Sequence, residues 1–267
     1  MRNRLTSAQI KSYRKNGFLA VPGFLSAAEL KKWQKVTVAA VNERLAKRPG
    51  WEGLNNQAKP DDFYAQVFTQ CLKLADSSAA MRELIFDRRI GEMAARLAGV
   101  EGIRCWHDQA LFKPPFGNPT AYHLDNPYWS FSSRDSISIW IALDDATLEN
   151  GCMWYLPGTH KMARWDNSGI GINLGDLFKV YPEWKRIAPV SVPARAGTAV
   201  FHNGLTARGA GANMTNRPRR AMTCAFMPEG STFNGQKNIL PEEYFKLLKK
   251  GDVLNDDVIN PVIWGKG

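Results

Sequence analysis

The chain has 267 residues, 44% of them hydrophobic, with 35 basic against 25 acidic side chains and a formal net charge of +10. That size and apolar content suit one large domain with a sizeable core, and exclude a wholly disordered, collagenous or coiled-coil chain. Only four histidines are present, so any chemistry needing imidazole must draw on His107, His123, His160 or His202.

The first residues, MRNRLTSAQIKSYRKNG, hold no apolar run of the length a secretory signal needs. No stretch approaches the ~18 apolar residues of a membrane helix, so no membrane partner is expected. Cys71, Cys105, Cys152 and Cys224 form no Cys-x-x-Cys pair and read as reduced, mostly buried thiols in a cytoplasmic protein. The positive excess has three readings: a solvated basic surface, a nucleic-acid partner, or attraction of an anionic small molecule. Basic residues are scattered, and the densest cluster, Arg217-Pro218-Arg219-Arg220, is short and lies between apolar segments. That argues against a nucleic-acid arm.

In chain order, residues 6–15 read as a short helix capped at Thr6 or Ser7, followed by a strand that Pro22-Gly23 breaks. Ser26 caps a longer helix running to about residue 45. A loop rich in Gly, Asn, Pro and Asp follows at 50–62. Helices are then expected over 66–75 and 79–98, the second ending at Gly99. Beyond residue 100 the texture changes to short apolar or alternating runs at 103–113, 121–130, 136–143, 151–156, 189–194, 197–207 and 219–228. Separated by Gly, Pro, Asn and Asp, they form the pattern of an all-β sandwich or barrel. A final helix is expected near 241–250.

The sharpest local motif is His123-Leu124-Asp125. At a strand end, residues two apart point the same way, so this pair can chelate one divalent metal. With a distant second histidine it makes the 2-His-1-carboxylate triad of non-haem Fe(II) oxygenases, which leaves positions open for O₂ and a cosubstrate. Three residues recur by chance, and a surface histidine near an aspartate is the plainer reading.

The surroundings narrow the choice. Upstream lies Trp106-His107-Asp108-Gln109-Ala110-Leu111-Phe112-Lys113-Pro114-Pro115; downstream come Trp140-Ile141-Ala142-Leu143-Asp144-Asp145, Asn150-Gly151-Cys152-Met153 and Leu156-Pro157-Gly158-Thr159-His160-Lys161. Phe201-His202-Asn203-Gly204 follows, and then Gly209-Ala210-Gly211-Ala212-Asn213-Met214-Thr215 running into Arg217-Pro218-Arg219-Arg220-Ala221. In this order and spacing the blocks resemble the phytanoyl-CoA dioxygenase family of Fe(II)/2-oxoglutarate-dependent oxygenases, over about residues 5–230.

The resemblance implies a single domain, mainly β with packed helices. A largely helical part at 1–100 would pack on a double-stranded β-helix (jelly-roll, cupin-like) core at 101–230, with a helix and tail at 231–267. It implies hydroxylation of a small molecule by O₂, coupled to decarboxylation of 2-oxoglutarate to succinate. His123 and Asp125 match the first two iron ligands. Arg219 matches the arginine that takes the distal carboxylate of 2-oxoglutarate, for which its planar fork is suited. Lys113, Asn213 and Thr215 match positions that shape the cosubstrate pocket. Tyr122, Gln109 and Trp140 are candidates for the substrate pocket.

One position departs from the family. The distal ligand should be a histidine immediately before Gly209, and here it is Arg208. Guanidinium has no lone pair to give a metal. His202 lies six residues earlier, and six residues of strand span ~20 Å, so it substitutes only if the chain bends. Three readings stay open: Arg208 is a change at a position that is otherwise histidine; iron binds through His123 and Asp125 with water or His202; or the site is metal-free and Arg208 pairs with Asp125. The last would make the chain a family member that binds without oxidising. His160 reads as a turn residue, and His107 faces either the pocket or the sheet exterior.

Overall fold

A computed structural model describes Met1, residues 4–47, Phe63 and residues 66–265. The loop expected at 50–62 lies outside the described residues. The chain opens with α1 (Ser7–Asn16), β1 (Phe18–Val21) and α2 (Ala27–Lys47). Thr6 and Gln9 form a capping box at the start of α1, and Gly17 ends it in the left-handed conformation. These two devices satisfy the unpaired backbone groups of a short helix.

The helix expected over 66–75 is not formed. Its place is taken by β2 (Thr69–Leu72) and a single turn, α3 (Leu74–Ser77). The cause is tertiary: β2 pairs with β3 (Ile103–Lys113), and the buried Asp108 of β3 accepts from the backbone N–H groups of Leu74 at 2.9 Å and Ala75 at 3.2 Å. The helix expected over 79–98 is two helices, α4 (Ala79–Ile85) and α5 (Arg88–Ala98), because Asp87 caps the second through Arg89 N–H. Gly99 ends α5 as expected.

The remaining elements are β4 (Thr120–His123), β5 (Ile137–Ala142), β6 (Met153–Tyr155), α6 (Leu177–Val180), β7 (Val190–Val192), β8 (Ala199–Asn203), β9 (Arg208–Ala210), β10 (Arg219–Pro228), α7 (Glu242–Leu247) and β11 (Val262–Trp264). At three residues each, β9 and β11 are too short to show an alternation in the sequence.

Two antiparallel sheets face each other. The seven-stranded sheet runs β1-β8-β5-β10-β3-β11, with β2 also on β3, and the four-stranded sheet runs β4-β9-β6-β7. This is the expected jelly roll, with its N-terminal helices on the outer face of the larger sheet. Period-two alternation sorts the larger sheet. Ile137, Ile139 and Ile141 of β5 and Met222, Cys224 and Phe226 of β10 pack with Trp33, Val41, Met81 and Met93 of the helices. The intervening Trp140, Ala142 and Ala221 pack with Met153, Tyr155 and Ala210 between the sheets. The N-terminal helices thus cover the outer face of the larger sheet and leave its inner face for a site.

A β-bulge refines this division. Along β10, Ala225 faces His107 while the next residue, Phe226, faces Cys105, so Trp106 is the extra residue. Without it, His107 would share the outer face with Cys105. The bulge turns it inward.

Candidate active site

Between the sheets lies a cavity of about 350 Å³, lined by Phe68, His107, Gln109, His123, Asp125 and Arg208 among others. A smaller cavity of about 40 Å³ shares His107, Gln109, Asp125 and Arg208 with it and reaches Trp140 and His202. Two of the expected substrate-pocket residues, Gln109 and Trp140, therefore line the chamber. Tyr122 does not: it points to the other side of β4 and packs on Phe178, 5.5 Å between ring centroids. The aromatic residues after the motif, Tyr128 and Trp129, line the chamber instead.

His123 is the last residue of β4, and its register partner across the sheet is Arg208, the first residue of β9. The chain then leaves the sheet, and the backbone N–H groups of Asp125 and Asn126 both donate to the Gly204 carbonyl at 2.9 Å. Gly204 eases that approach, since a Cβ there would lie 3.1 Å from Asn126 Cβ and 2.6 Å from Ser136 Oγ. On the opposite sheet, His202 shares the inner face of β8 with Val200. The chain turns between Asn203 and Arg208, with Thr206 N–H donating to Asn203 O at 2.9 Å, and crosses to the smaller sheet. That bend cancels the ~20 Å an extended strand would put between His202 and position 208.

Three side chains meet at Asp125. Arg208 donates from Nε to Oδ2 at 2.9 Å and from Nη2 to Oδ1 at 2.6 Å, a bidentate fork. His202 donates from Nε2 to Oδ2 at 3.2 Å, and its Nδ1 lies 3.2 Å from the Tyr155 hydroxyl. His123 Nε2 lies 3.3 Å from Oδ1, while its Nδ1 bonds the Ala121 carbonyl at 2.8 Å. Burial alone would raise the Asp125 pKa, but the Arg208 charge and the two imidazoles outweigh it and hold the carboxyl well below its ordinary value. Burial lowers the His202 pKa, and lowers that of His107 to about 4, so the latter is neutral near pH 7.

At one end of the inner face, Arg219 of β10 pairs in register with Lys113 of β3. Both are fully buried. Arg219 Nη2 donates to Gly151 O at 3.2 Å, while Nε and Nη1 have no partner. Lys113 Nζ donates to the Asn118 carbonyl and sits 4.5 Å from the centre of the Phe68 ring. The Arg219 guanidinium lies against Phe68 and Trp140 at 5.7 and 5.4 Å. Burial lowers the Lys113 pKa to about 7, helped by the Arg219 charge, and that of Arg219 to about 10. Asn213 and Thr215 lie elsewhere. The Asn213 side chain donates to Pro114 O and Arg217 O and accepts from Thr215 Oγ1, so the pair holds the loop leading into Arg219.

Several chamber residues escape the sequence reading. Phe68, Gln70 and Leu72 line it from the β2 region. Their spacing of two was the available signal, hidden by the helical reading of 66–75. Tyr155 carries no sequence signal at all. His160 lies near α1, its Nε2 3.3 Å from Arg14 O and away from the chamber.

A family model described as phytanoyl-CoA dioxygenase (PhyH) matches residues 13–221. The chain belongs to the phytanoyl-CoA dioxygenase family. It is 27% identical to the methylphosphonate hydroxylase of Gimesia maris over 254 residues, 92% of this chain and 87% of that protein. Human peroxisomal phytanoyl-CoA dioxygenase is 27% identical over 239 residues, 84% of this chain and 69% of the other. Among solved structures, the non-haem α-ketoglutarate-dependent carbocyclase SnoK from nogalamycin biosynthesis aligns over 97% of this chain and 96% of its own, at TM-score 0.81 and 27% identity. The epimerase SnoN, solved with Fe³⁺, α-ketoglutarate and nogalamycin RO, aligns over 96% of this chain and 97% of its own, at TM-score 0.73 and 25% identity. A hydroxylase, a carbocyclase and an epimerase on one scaffold mean that chemistry has to be argued from the site.

The family implies iron and 2-oxoglutarate, and the residues present fit them unequally. As arranged, they do not fit iron. The fork of Arg208 occupies both oxygens of the carboxylate a metal would bind, and its fixed charge repels a dication. Among the described residues, no three His, Cys, Asp or Glu side chains are arranged to hold a metal ion. The other end does fit a carboxylate: two buried cations, one with orphaned donors on two of its nitrogens, have only carbonyls as partners.

Proposed function

We propose that this phytanoyl-CoA dioxygenase family member binds 2-oxoglutarate and a small molecule between its sheets, and that Arg208 holds it in a metal-free state that does not oxidise them. The Arg208–Asp125 fork carries this reading. A buried bidentate guanidinium–carboxylate pair supplies internally the positive charge a metal would bring, and dismantling it leaves a carboxylate buried without a cation.

In a complete family site, 2-oxoglutarate is the reductant that is decarboxylated to succinate as O₂ is consumed. In this chain Arg219 would take its distal carboxylate on the orphaned Nε and Nη1, with Lys113 beside it. Phe68 lines the chamber and lies on both cations, so its ring must move aside to admit the ligand. We place the protein in the cytoplasm, where its four buried cysteines remain free thiols. No helix among the described residues is long and apolar enough to cross a membrane.

The test is an anaerobic Fe(II) titration followed by 2-oxoglutarate, watched for the visible charge-transfer band and, after O₂ is admitted, for succinate. We expect neither from the native chain, and both from Arg208→His. Calorimetry in EDTA should still detect 2-oxoglutarate binding, and Arg219→Met should abolish it. A band in the native chain would overturn the metal-free reading.

His202 supports a second reading. With it, two imidazoles already face Asp125, so His123, Asp125 and His202 hold iron if Arg208 swings away, and the chain then hydroxylates a small molecule as its family does. In that case the native chain shows the band, and His202→Ala removes it.

A further inference from the structure

In the smaller sheet, β4 is an edge strand. One side of it pairs with β9, ending at His123 and Arg208. Along the other side runs the irregular segment 167–174. Tyr122 N–H donates to Leu174 O at 3.1 Å, and Ser168 Oγ donates to Tyr122 O at 3.4 Å. Two residues further on, Leu124 bonds through both backbone groups to one side chain. Its N–H donates to Asn167 Oδ1 at 3.1 Å, and its carbonyl accepts from Asn167 Nδ2 at 2.7 Å. A primary amide offers an acceptor and a donor side by side, as a peptide group does, so Asn167 stands where a further strand would.

The residue so held is the joint of the site. His123 ends β4, whereas Asp125 has φ −86° and ψ −51°, in the helical region, and leads into a single 3₁₀ turn at Asn126–Tyr128. The torsions of Leu124 therefore set how the His123 and Asp125 side chains project relative to each other. Burial of the Leu124 side chain among Leu156, Trp184 and Leu205 fixes where the joint lies. The two amide bonds fix how its backbone is turned. Asn167 is held in turn: its Oδ1 also accepts from Ser168 N–H at 3.0 Å, and Tyr128 OH donates to Ser168 O at 2.7 Å. The next residues, Gly169 and Ile170, line the larger cavity. One side chain thus ties a wall of the chamber to the residue between His123 and Asp125.

We propose that Asn167 is a positioning residue, whose amide clasps Leu124 and so makes His123 and Asp125 converge on one point. With or without metal the site needs that convergence, so the inference goes beyond the metal-free reading and stands apart from it.

In the native chain the convergence is read at the Arg208 fork, which forms only if Asp125 is correctly turned. Protein labelled with ¹⁵N-arginine is kept in EDTA, and the exchange of the Arg208 Nε–H proton with water is timed. The signal is assigned by its loss in Arg208→Lys. Asn167→Ala should speed the exchange about tenfold, the factor that two hydrogen bonds of ordinary net strength correspond to. Asn167→Ser keeps a polar group but is too short to make both bonds. It should exchange as fast as Asn167→Ala, and it serves if the alanine variant does not fold. A residue that merely stabilised the fold would not act selectively on the fork. The control is therefore Thr6→Ala, which removes the cap of α1 on the helical side of the larger sheet, with urea added to match the unfolding free energies. Its Arg208 proton should exchange as in the native chain. Native exchange rates in the Asn167 variants, or an equal acceleration in Thr6→Ala, would overturn the proposal. Metal plays no part in these measurements, so they can fail independently of the iron titration.

Discussion

Arg208 changes what this site is. In a buried pair, removing one partner costs more than the pair contributes, because the other charge is left desolvated. Arg208→Ala should therefore lower the unfolding free energy at pH 7 by about 3–5 kcal/mol in urea titrations, and adding Asp125→Asn should recover part of the loss. Asp125 also sets an acid limit. Its folded pKa lies below the unfolded value of about 3.9, so its contribution is complete above that pH and is lost as pH falls below it. The decline in urea midpoint from pH 5 to pH 3 should be shallower in Asp125→Asn. His107 acts in a higher window. Its folded pKa of about 4 lies below the unfolded ~6.5, so the unfolded chain holds the extra proton between those values. Stability should fall from pH 7 to pH 4.5, with a slope of up to about 1.4 kcal/mol per pH unit, and His107→Gln should flatten that slope.

Elements decide which residues reach the chamber. Single residues were legible where they sit on long alternating runs. The alternation in SISIWIAL and RAMTCAFM marks two strands, and the packing then sorts their parities, Trp140 between the sheets and Ile139 and Cys224 under the helices. His107 was not legible, because one inserted residue in β3 reverses the parity of everything beyond it, and nothing local marks the insertion. Nor was β2, whose strand exists only because β3 offers it an edge and Asp108 stops it. Gly151 shows the same dependence at a turn. Its φ is +87°, and a Cβ there would lie 2.4 Å from the Gly211 carbonyl oxygen, while its own carbonyl accepts from Arg219. Gly151→Ala should cost about 1–3 kcal/mol in a thermal melt and weaken 2-oxoglutarate binding with it, since Arg219 loses its anchor.

At the scale of the whole molecule, the metal-free reading proposed above predicts a fold that needs no ion. The melting temperature of the native chain should be unchanged by EDTA. Arg208→His should instead gain about 2.7 kcal/mol at a Co(II) concentration 100 times its dissociation constant, read as a shift of the melt. Part of the +10 charge is inside: Arg219 and Lys113 are fully buried with carbonyls as their hydrogen-bond partners, while Arg208 is balanced by Asp125. By itself the sequence determined the family, the jelly roll behind the helices, the scarcity of imidazole and the loss of the distal histidine. All of these reside in residue identity, order and local period. Only the tertiary structure decided that His202 and Arg208 both reach Asp125, that His107 turns inward and that Tyr122 turns away. Those outcomes depend on a chain crossing between sheets, on one bulge and on which strands lie side by side, and such long-range pairings leave no trace in local spacing.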